Sequence, residues 1–107
     1  MALTKFDKFD SEKERYDLLY GPFIEGVTKV MTFGSKKYDD HNWYKCPKMS
    51  RYFSAAMRHM WAWWFKREDI DPESGLHHAF HAACCIMILF GLQDMHGSIV
   101  DDRPGKV

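Results

Sequence analysis

The pattern of apolar positions along the chain predicts helices rather than strands. After the boundary at Gly21-Pro22, apolar residues recur at helical spacing as far as Met31, and Gly34 stands where a glycine commonly ends a helix. A second apolar stripe follows Ser50, a suitable N-cap residue. This stripe consists of Phe53, Met57, Met60, Trp61 and Trp64. No alternation of strand type extends over a useful length, so we expect an all-α fold, a small helical bundle.

The third helix is expected from about His77 to Gln93. Before it, Asp71-Pro72-Glu73 is typical of a helix start, with an N-cap, a proline in the first turn and an acid near the helix dipole. The third helix is apolar nearly all round, which predicts that it is the central helix of the bundle. The apolar run from Ala79 to Leu92 contains His81 and is shorter than the roughly 20 residues that a membrane span requires. We therefore expect a buried helix and no contact with a membrane.

The remaining segments are expected to be loops and ends. Residues 35–48 contain Asn42, Pro47 and several charges, which favours a loop. The first residues are rich in charge, and the tail from Gly97 contains Pro104 and Gly105, so both ends are expected to be mobile. The prediction is one domain over residues 1–107, with its core at about 15–93.

Composition adds a prediction about assembly. The chain has 107 residues, of which 46% are hydrophobic and 16% aromatic, enough for one packed domain. A monomer of this size buries only roughly two-thirds of its surface. The surplus of large apolar side chains therefore favours a homo-oligomer, a dimer or a tetramer.

Charge and cysteine content exclude some classes of protein. Fifteen basic residues balance fifteen acidic ones, which argues against binding to duplex nucleic acid but allows a small phosphorylated ligand. Three cysteines and a charged N-terminus without a secretory signal indicate free thiols in a reducing cytoplasm, that of the host cell for a phage protein.

A group of acids and histidines carries the first candidate chemistry. Its members are His59, Glu68, Asp71, Glu73, His78 and His81. Residues three apart on a helix project from one side, so His78 and His81 can approach one ion together, and His77 with His81 is also a possible pair. Carboxylates suit Mg²⁺ or Mn²⁺, whereas imidazoles favour Mn²⁺, Zn²⁺ or another transition metal. The alternative is structural: Asp71 and Glu73 cap a helix, and the histidines serve polar needs of the core.

A second group combines cations with aromatic rings. Lys36 and Lys37 suit contacts with phosphate, Tyr38 or Trp43 suits stacking on a base, and Asn42 suits hydrogen bonds to the base edge. Arg58 on the second helix can act as a phosphate clamp or form an ordinary ion pair. The alternative for the loop is a solvated pair of lysines beside aromatic residues that anchor it to the core.

Several of these motifs together resemble one protein family. They are Arg15–Leu19, Thr32–Tyr38, Asn42-Trp43, Arg58-His59, Glu68, and Asp71–Leu76 followed by His78-x-x-His81. Over about residues 15–93 the chain resembles the N-terminal domain of phage dATP/dGTP diphosphohydrolases, which is related to the all-α MazG-like nucleotide pyrophosphatases.

The resemblance implies an oligomeric, metal-dependent domain that converts nucleoside triphosphates into monophosphate and pyrophosphate, with Mg²⁺ or Mn²⁺ as cofactor. It implies metal or catalytic roles for Glu68, Asp71, Glu73, His78 and His81, and ligand contacts for Lys36, Lys37 and Asn42. Our reading of the metal set is Asp71, Glu73, His78 and His81. In it, one of Glu68, Glu73 or His59 activates water, while Lys36, Lys37 and Arg58 bind phosphates.

Two other functions stay open beside hydrolysis. The acidic helix pair that is usual in MazG-like enzymes is not visible, and aromatic surface is abundant. A sponge that sequesters a nucleotide-derived immune signal, such as a cyclic dinucleotide or an ADP-ribose derivative, is therefore the main alternative. A nucleotide kinase without a P-loop is the second.

Overall fold

The computed structural model describes residues 4–105; the outermost ends of the predicted domain, 1–3 and 106–107, lie outside that range. The three helices are α1 (Gly21–Lys37), α2 (Ser50–Trp64) and α3 (His78–His96). Short 3₁₀ turns lie at Tyr16–Leu18, Asn42–Lys45 and Gly97–Ile99. Within the described range the only β-type pairing is an isolated bridge between Ile70 and His77. The all-α prediction is confirmed.

Helix α3 lies at the centre of the fold, as its composition predicted. It packs against both α1 and α2, which make hardly any contact with each other. Leu92 on α3 is fully buried, and Cys84 and Ile88 lie on the same side of the helix. Val30 of α1 and Met49 just before α2 complete this core with them. One helix therefore supplies the surface that holds the other two together.

Two glycines permit close approach to other elements. A Cβ atom on Gly26 of α1 would lie 2.5 Å from the ring of Phe80 on α3, which also meets Phe23 edge to face. A Cβ atom on Gly91 of α3 would lie 2.6 Å from the indole of Trp43. The bare backbone at these positions lets an aromatic ring lie directly on the helix.

The predicted helix ends need two corrections. Helix α1 continues through Gly34 to Lys37, since nothing there requires a positive φ angle. Helix α3 begins at His78, as predicted, and continues beyond Gln93 to His96. The helix start predicted at Asp71-Pro72-Glu73 is wrong, because the Asp71 carboxylate accepts a hydrogen bond from the backbone N–H of Ser74 and closes a turn instead. His77 is the actual N-cap; its Nδ1 accepts from the N–H of Ala79.

The start of α2 also differs from the prediction. Ser50 is the first residue of the helix and not its N-cap, and its N–H and hydroxyl both donate to the carboxylate of Asp102. Val100 is buried, and its carbonyl accepts from the N–H of Met49. The tail was expected to be mobile from Gly97, but as far as Asp102 it packs beside α2, because it supplies the cap that the local sequence lacks.

The described residues include one segment, His78–Ile99, that is long and apolar enough to cross a membrane by length and composition alone. This segment is longer than the apolar run 79–92, whose shortness led to the prediction of a buried helix. The core helix of a globular domain passes the same test, and the side of α3 that carries Cys84, Ile88 and Leu92 is buried. The absence of a membrane partner stays a prediction.

The close packing of Trp43 on α3 can be tested with a pair of glycine variants. We expect Gly91→Ala to lower the free energy of unfolding by about 1–3 kcal/mol, since the new methyl group forces the indole away. The matched control is Gly34→Ala, because no atom lies within 4 Å of its Cβ position and a gain of about 0.5–1 kcal/mol is expected from helix propensity. Urea denaturation of both variants measures the difference; equal stabilities would contradict this packing.

Candidate functional site

A cleft of about 580 Å³ lies between α1 and α2, with α3 as its floor. The last turns of α1 and the loop after it form one wall, Arg58 and His59 of α2 form the other, and Cys84 and Ile88 lie at the bottom. Asp71 and Glu73, from the connection between α2 and α3, line it as well. The volume lies within the range of about 300–1,000 Å³ that is usual for sites of small ligands and cofactors.

Three residues form a hydrogen-bonded chain beside the cleft. His78 is only 4% exposed, and its Nε2 lies 2.7 Å from a carboxylate oxygen of Glu68. Its Nδ1 lies 2.8 Å from Nδ1 of His59. Because a carboxylate only accepts, these bonds assign the proton of neutral His78 to Nε2 and leave a lone pair on Nδ1. Glu68 therefore fixes the tautomer of His78 from behind.

A second network holds Asp71 and His81 in place. The Ser74 hydroxyl donates to Asp71 Oδ2 at 2.9 Å and lies 2.6 Å from Nε2 of His81. His81 is 9% exposed, and its ring stacks on that of His59, with centroids 4.4 Å apart and planes at 9°. The two networks therefore meet at His59, which contacts both buried histidines.

Burial and mutual repulsion lower the pKa values of His59 and His81. Burial lowers the pKa of His59 to about 4, and positive charge on His81 or His78 would lower it further. Burial also lowers the pKa of His81, against the opposing effect of the Asp71 carboxylate. For Asp71, burial acts to raise the pKa, but the hydrogen bonds from Ser74 and the nearby histidines together lower it. At neutral pH the imidazoles of His59 and His81 are thus neutral and lie beside an ionised carboxylate.

One subset of these groups fits the ligand set of a divalent metal ion. One ligand atom each from His59, Asp71 and His78 lies within 4.8 Å of the others. Two imidazoles and one carboxylate suit Mn²⁺ or Zn²⁺ better than Mg²⁺. A carboxylate on the far nitrogen of a histidine, as Glu68 is on His78, commonly orients a metal ligand.

The other predicted metal and catalytic residues are not members of this subset, although Glu68 and His81 contact it. Glu73 forms an ion pair with Lys37 across the cleft, and its carboxylate does not join the histidines. His81 bonds to Ser74. Glu68 lies behind His78 and does not line the cleft. The roles predicted for these residues stay predictions.

The predicted ligand contacts divide into two groups. Lys37, Tyr38, Asn42 and Arg58 all line the cleft, whereas Lys36 is exposed outside it. Trp43 lines the cleft too, but it also packs against the core and lies on Gly91. The position of Trp43 matches the alternative in which an aromatic residue anchors the loop.

Ser74 connects Asp71 with His81, although no role was predicted for it from the sequence. The turn itself could have been predicted, because aspartate side chains commonly accept hydrogen bonds from the backbone shortly after them, as Asp71 does from the N–H of Ser74. The bond to His81 could not be read in the same way, since it depends on how the turn lies against α3.

Fold and site together define an all-α domain with a histidine and carboxylate cluster at the edge of a nucleotide-sized cleft. The family model of the dATP/dGTP diphosphohydrolase N-terminal domain matches residues 4–103, and the chain belongs to this family. A dATP/dGTP diphosphohydrolase of Salmonella phage PMBT28 is 40% identical over 96 residues, which are 90% of this chain and 32% of that protein. The chain thus spans about a third of the length of this relative. No solved structure matches it.

The low pKa of His59 predicts a dependence of stability on pH. The unfolded chain protonates this imidazole near its usual pKa of 6.5, whereas the folded chain does so near 4. The contribution of His59 is therefore fully present above pH 6.5 and is lost as the pH falls toward 4. The measurement is made in the presence of a metal chelator. When the pH is lowered from 7 to 4.5, His59→Asn should lose less unfolding free energy than the wild type. Denaturation at both pH values measures it.

The matched control for this experiment is His41→Asn. His41 is an exposed histidine outside the cluster, and its backbone has a φ angle of 59°, which asparagine tolerates. This variant should keep the pH dependence of the wild type. The same slope in all three proteins would contradict the burial of His59.

Proposed function

We propose that this domain binds a purine deoxynucleoside triphosphate in the cleft and hydrolyses it to the monophosphate and pyrophosphate. The observation that carries the proposal is the meeting of His59, Asp71 and His78 at the edge of a cleft that also contains Lys37 and Arg58. The choice of dATP and dGTP follows the name of the phage relative. Extending that activity to this chain is part of the proposal, because the chain spans only part of the relative.

A divalent ion would be held by His59, Asp71 and His78, the three residues whose ligand atoms lie together. When bound, such an ion neutralises phosphate charge and polarises the phosphorus–oxygen bond. Ser74 occupies Oδ2 of Asp71 and so orients the other carboxylate oxygen, while Glu68 orients His78. In this proposal Glu68 and Ser74 position ligands and do not touch the substrate.

Glu73 is the residue that we propose as the general base. His59 is taken up by the metal ion in this proposal, and Glu68 does not line the cleft. Lys37 holds the Glu73 carboxylate when the cleft is empty, and phosphates would compete for the same ammonium group. The freed carboxylate takes a proton from water, the water oxygen bonds to the α-phosphorus, and the bond between this phosphorus and the pyrophosphate oxygen breaks.

Binding without hydrolysis is the second candidate, and one contact favours it. The Nδ1 atoms of His59 and His78 already bond to each other at 2.8 Å, so the cluster is satisfied by its own groups. Glu73 is likewise neutralised by Lys37. A sponge for a nucleotide-derived signal needs only the cleft, and it would return its ligand intact when the protein is denatured.

The first test is an assay of the intact chain with the four deoxynucleoside triphosphates and Mn²⁺ or Mg²⁺. We expect monophosphate and pyrophosphate from dATP and dGTP, and a loss of at least about 100-fold in kcat for Asp71→Asn. Lys29→Ala is the matched control, because Lys29 is exposed on α1 outside the cleft. If the protein binds the nucleotide tightly and the nucleotide is recovered intact, the function is that of a sponge and the proposal of hydrolysis is wrong.

The pair Lys37 and Glu73 gives a sharper test, because the two substitutions should act on different kinetic constants. We expect Lys37→Ala to raise KM through the loss of a phosphate contact. Glu73→Gln should lower kcat by about 10²–10⁴, the usual contribution of a general base, while KM stays or falls because Lys37 is released. Steady-state kinetics measures both, and unchanged kcat in Glu73→Gln would exclude Glu73 as the base.

A further inference from the structure

The side chains that line the cleft are of two kinds. One kind is charged or ionisable and includes Lys37, Arg58 and the histidine and carboxylate cluster. The other kind belongs to the core or packs against it, and we name it the apolar lining: Met31, Trp43, Tyr52, Cys84 and Ile88. Burial raises the pKa of Cys84 to about 12, so this thiol is uncharged at neutral pH. The apolar lining is therefore a neutral surface, which suits a nucleotide base better than phosphates.

One polar atom of the apolar lining has no partner. Among the described residues, Nε1 of Trp43 is the one buried side-chain nitrogen or oxygen that makes no hydrogen bond. An indole N–H can only donate, so what it lacks is an acceptor. Buried donors without an acceptor are rare in folded proteins, and each one calls for an explanation, such as a ligand or an ordered water. The apolar lining thus contains one donor that is available for a bound molecule.

We propose that the base of the bound nucleotide lies against the apolar lining and that the N–H of Trp43 donates a hydrogen bond to N7 of a purine; this rests on the proposed function. Adenine and guanine both carry the acceptor N7, whereas their neighbouring groups differ, an amino group in adenine and a carbonyl oxygen in guanine. A single donor at N7 therefore accepts both purines. A donor at N3 would not exclude pyrimidines, because their O2 acceptor corresponds to it.

Trp43 contacts the edge of the base in this proposal, whereas stacking on its face was predicted from the sequence. The indole already lies on Gly91 and meets the ring of Tyr44 edge to face. Its nitrogen is covered, so the base reaches it through a small shift of the turn Asn42–Lys45, which lies between α1 and α2 and belongs to neither helix. The hydrogen bond formed in this way replaces no bond to water, which makes it a selective contact.

The test compares dATP and dGTP with their 7-deaza forms, in which a C–H group replaces N7 and the rest of the base is unchanged. For the wild type we expect kcat/KM to be at least about 10-fold lower with each 7-deaza nucleotide, because the buried donor then stays unpaired. In Trp43→Phe this difference should disappear, since the donor is absent. A loss of packing alone would weaken both forms of the nucleotide equally and leave their ratio unchanged.

The matched control is Trp64→Phe, which also removes an indole N–H. Trp64 is 72% exposed on α2 and does not line the cleft, so this variant should keep the ratio of the wild type. If Trp43→Phe does not fold, benzothienylalanine at the same position keeps the shape of the indole and has a sulfur atom in place of the N–H. This replacement should also abolish the difference between the two forms.

Two results would overturn the proposal: a wild type that treats either purine and its 7-deaza form alike, or a difference that persists without the indole N–H. If the chain binds the nucleotides without cleaving them, dissociation constants from calorimetry replace kcat/KM, and the same ratios decide. Hydrolysis with equal constants for both forms contradicts this proposal alone. Absence of binding to all the nucleotides contradicts the proposed function together with it.

Discussion

Two buried imidazoles at the beginning of α3 need hydrogen-bond partners, and much of the structure around them meets that need. An unsatisfied polar group in the interior costs about 1–3 kcal/mol. His78 forms a hydrogen bond with Glu68, and His81 forms one with Ser74, so both partners come from the connection between α2 and α3. The connection is therefore fixed on the first turn of α3, although it contains no regular helix.

The same requirement links the fold to the candidate chemistry. The bonds that satisfy His78 and His81 also hold Asp71 and His59 at the edge of the cleft. Burial lowers the pKa of His59, whereas the hydrogen bonds from Ser74 favour the ionised form of Asp71 against the effect of burial. From the sequence, a structural role of the histidines in the core and a role in binding a metal ion are alternatives. In the folded chain the same histidines can have both roles.

The sharing of one central helix explains both the cleft and the exposed surface. Because α1 and α2 each pack on α3 and hardly touch each other, a gap remains between them, and this gap is the cleft. The same arrangement gives α2 only one close helical neighbour among the described residues, so large apolar side chains on its outer side, such as Trp61 and Trp64, are exposed. A tighter bundle with all three helices in mutual contact would remove the cleft and hide more of α2.

The sequence alone determined what depends on neighbours along the chain. Helical periodicity gave three helices and placed the most apolar one at the centre, because burial follows from the pattern of side chains around each helix. The family motif brought together the acids and histidines of the site. Lys37, Asn42 and Arg58, which were predicted as ligand contacts, line one cleft, whereas Lys36 does not, and their contact with a ligand stays a prediction.

Only the tertiary structure decided the partners that lie far apart in sequence. Asp102 caps α2 from 52 positions away, and Lys37 pairs with Glu73 at a separation of 36. It also assigned Ser74 to His81 and separated Glu73 from the histidines. Local patterns describe which side chains share a face, whereas hydrogen bonds and ion pairs depend on distances of a few ångströms that are set only when the helices pack.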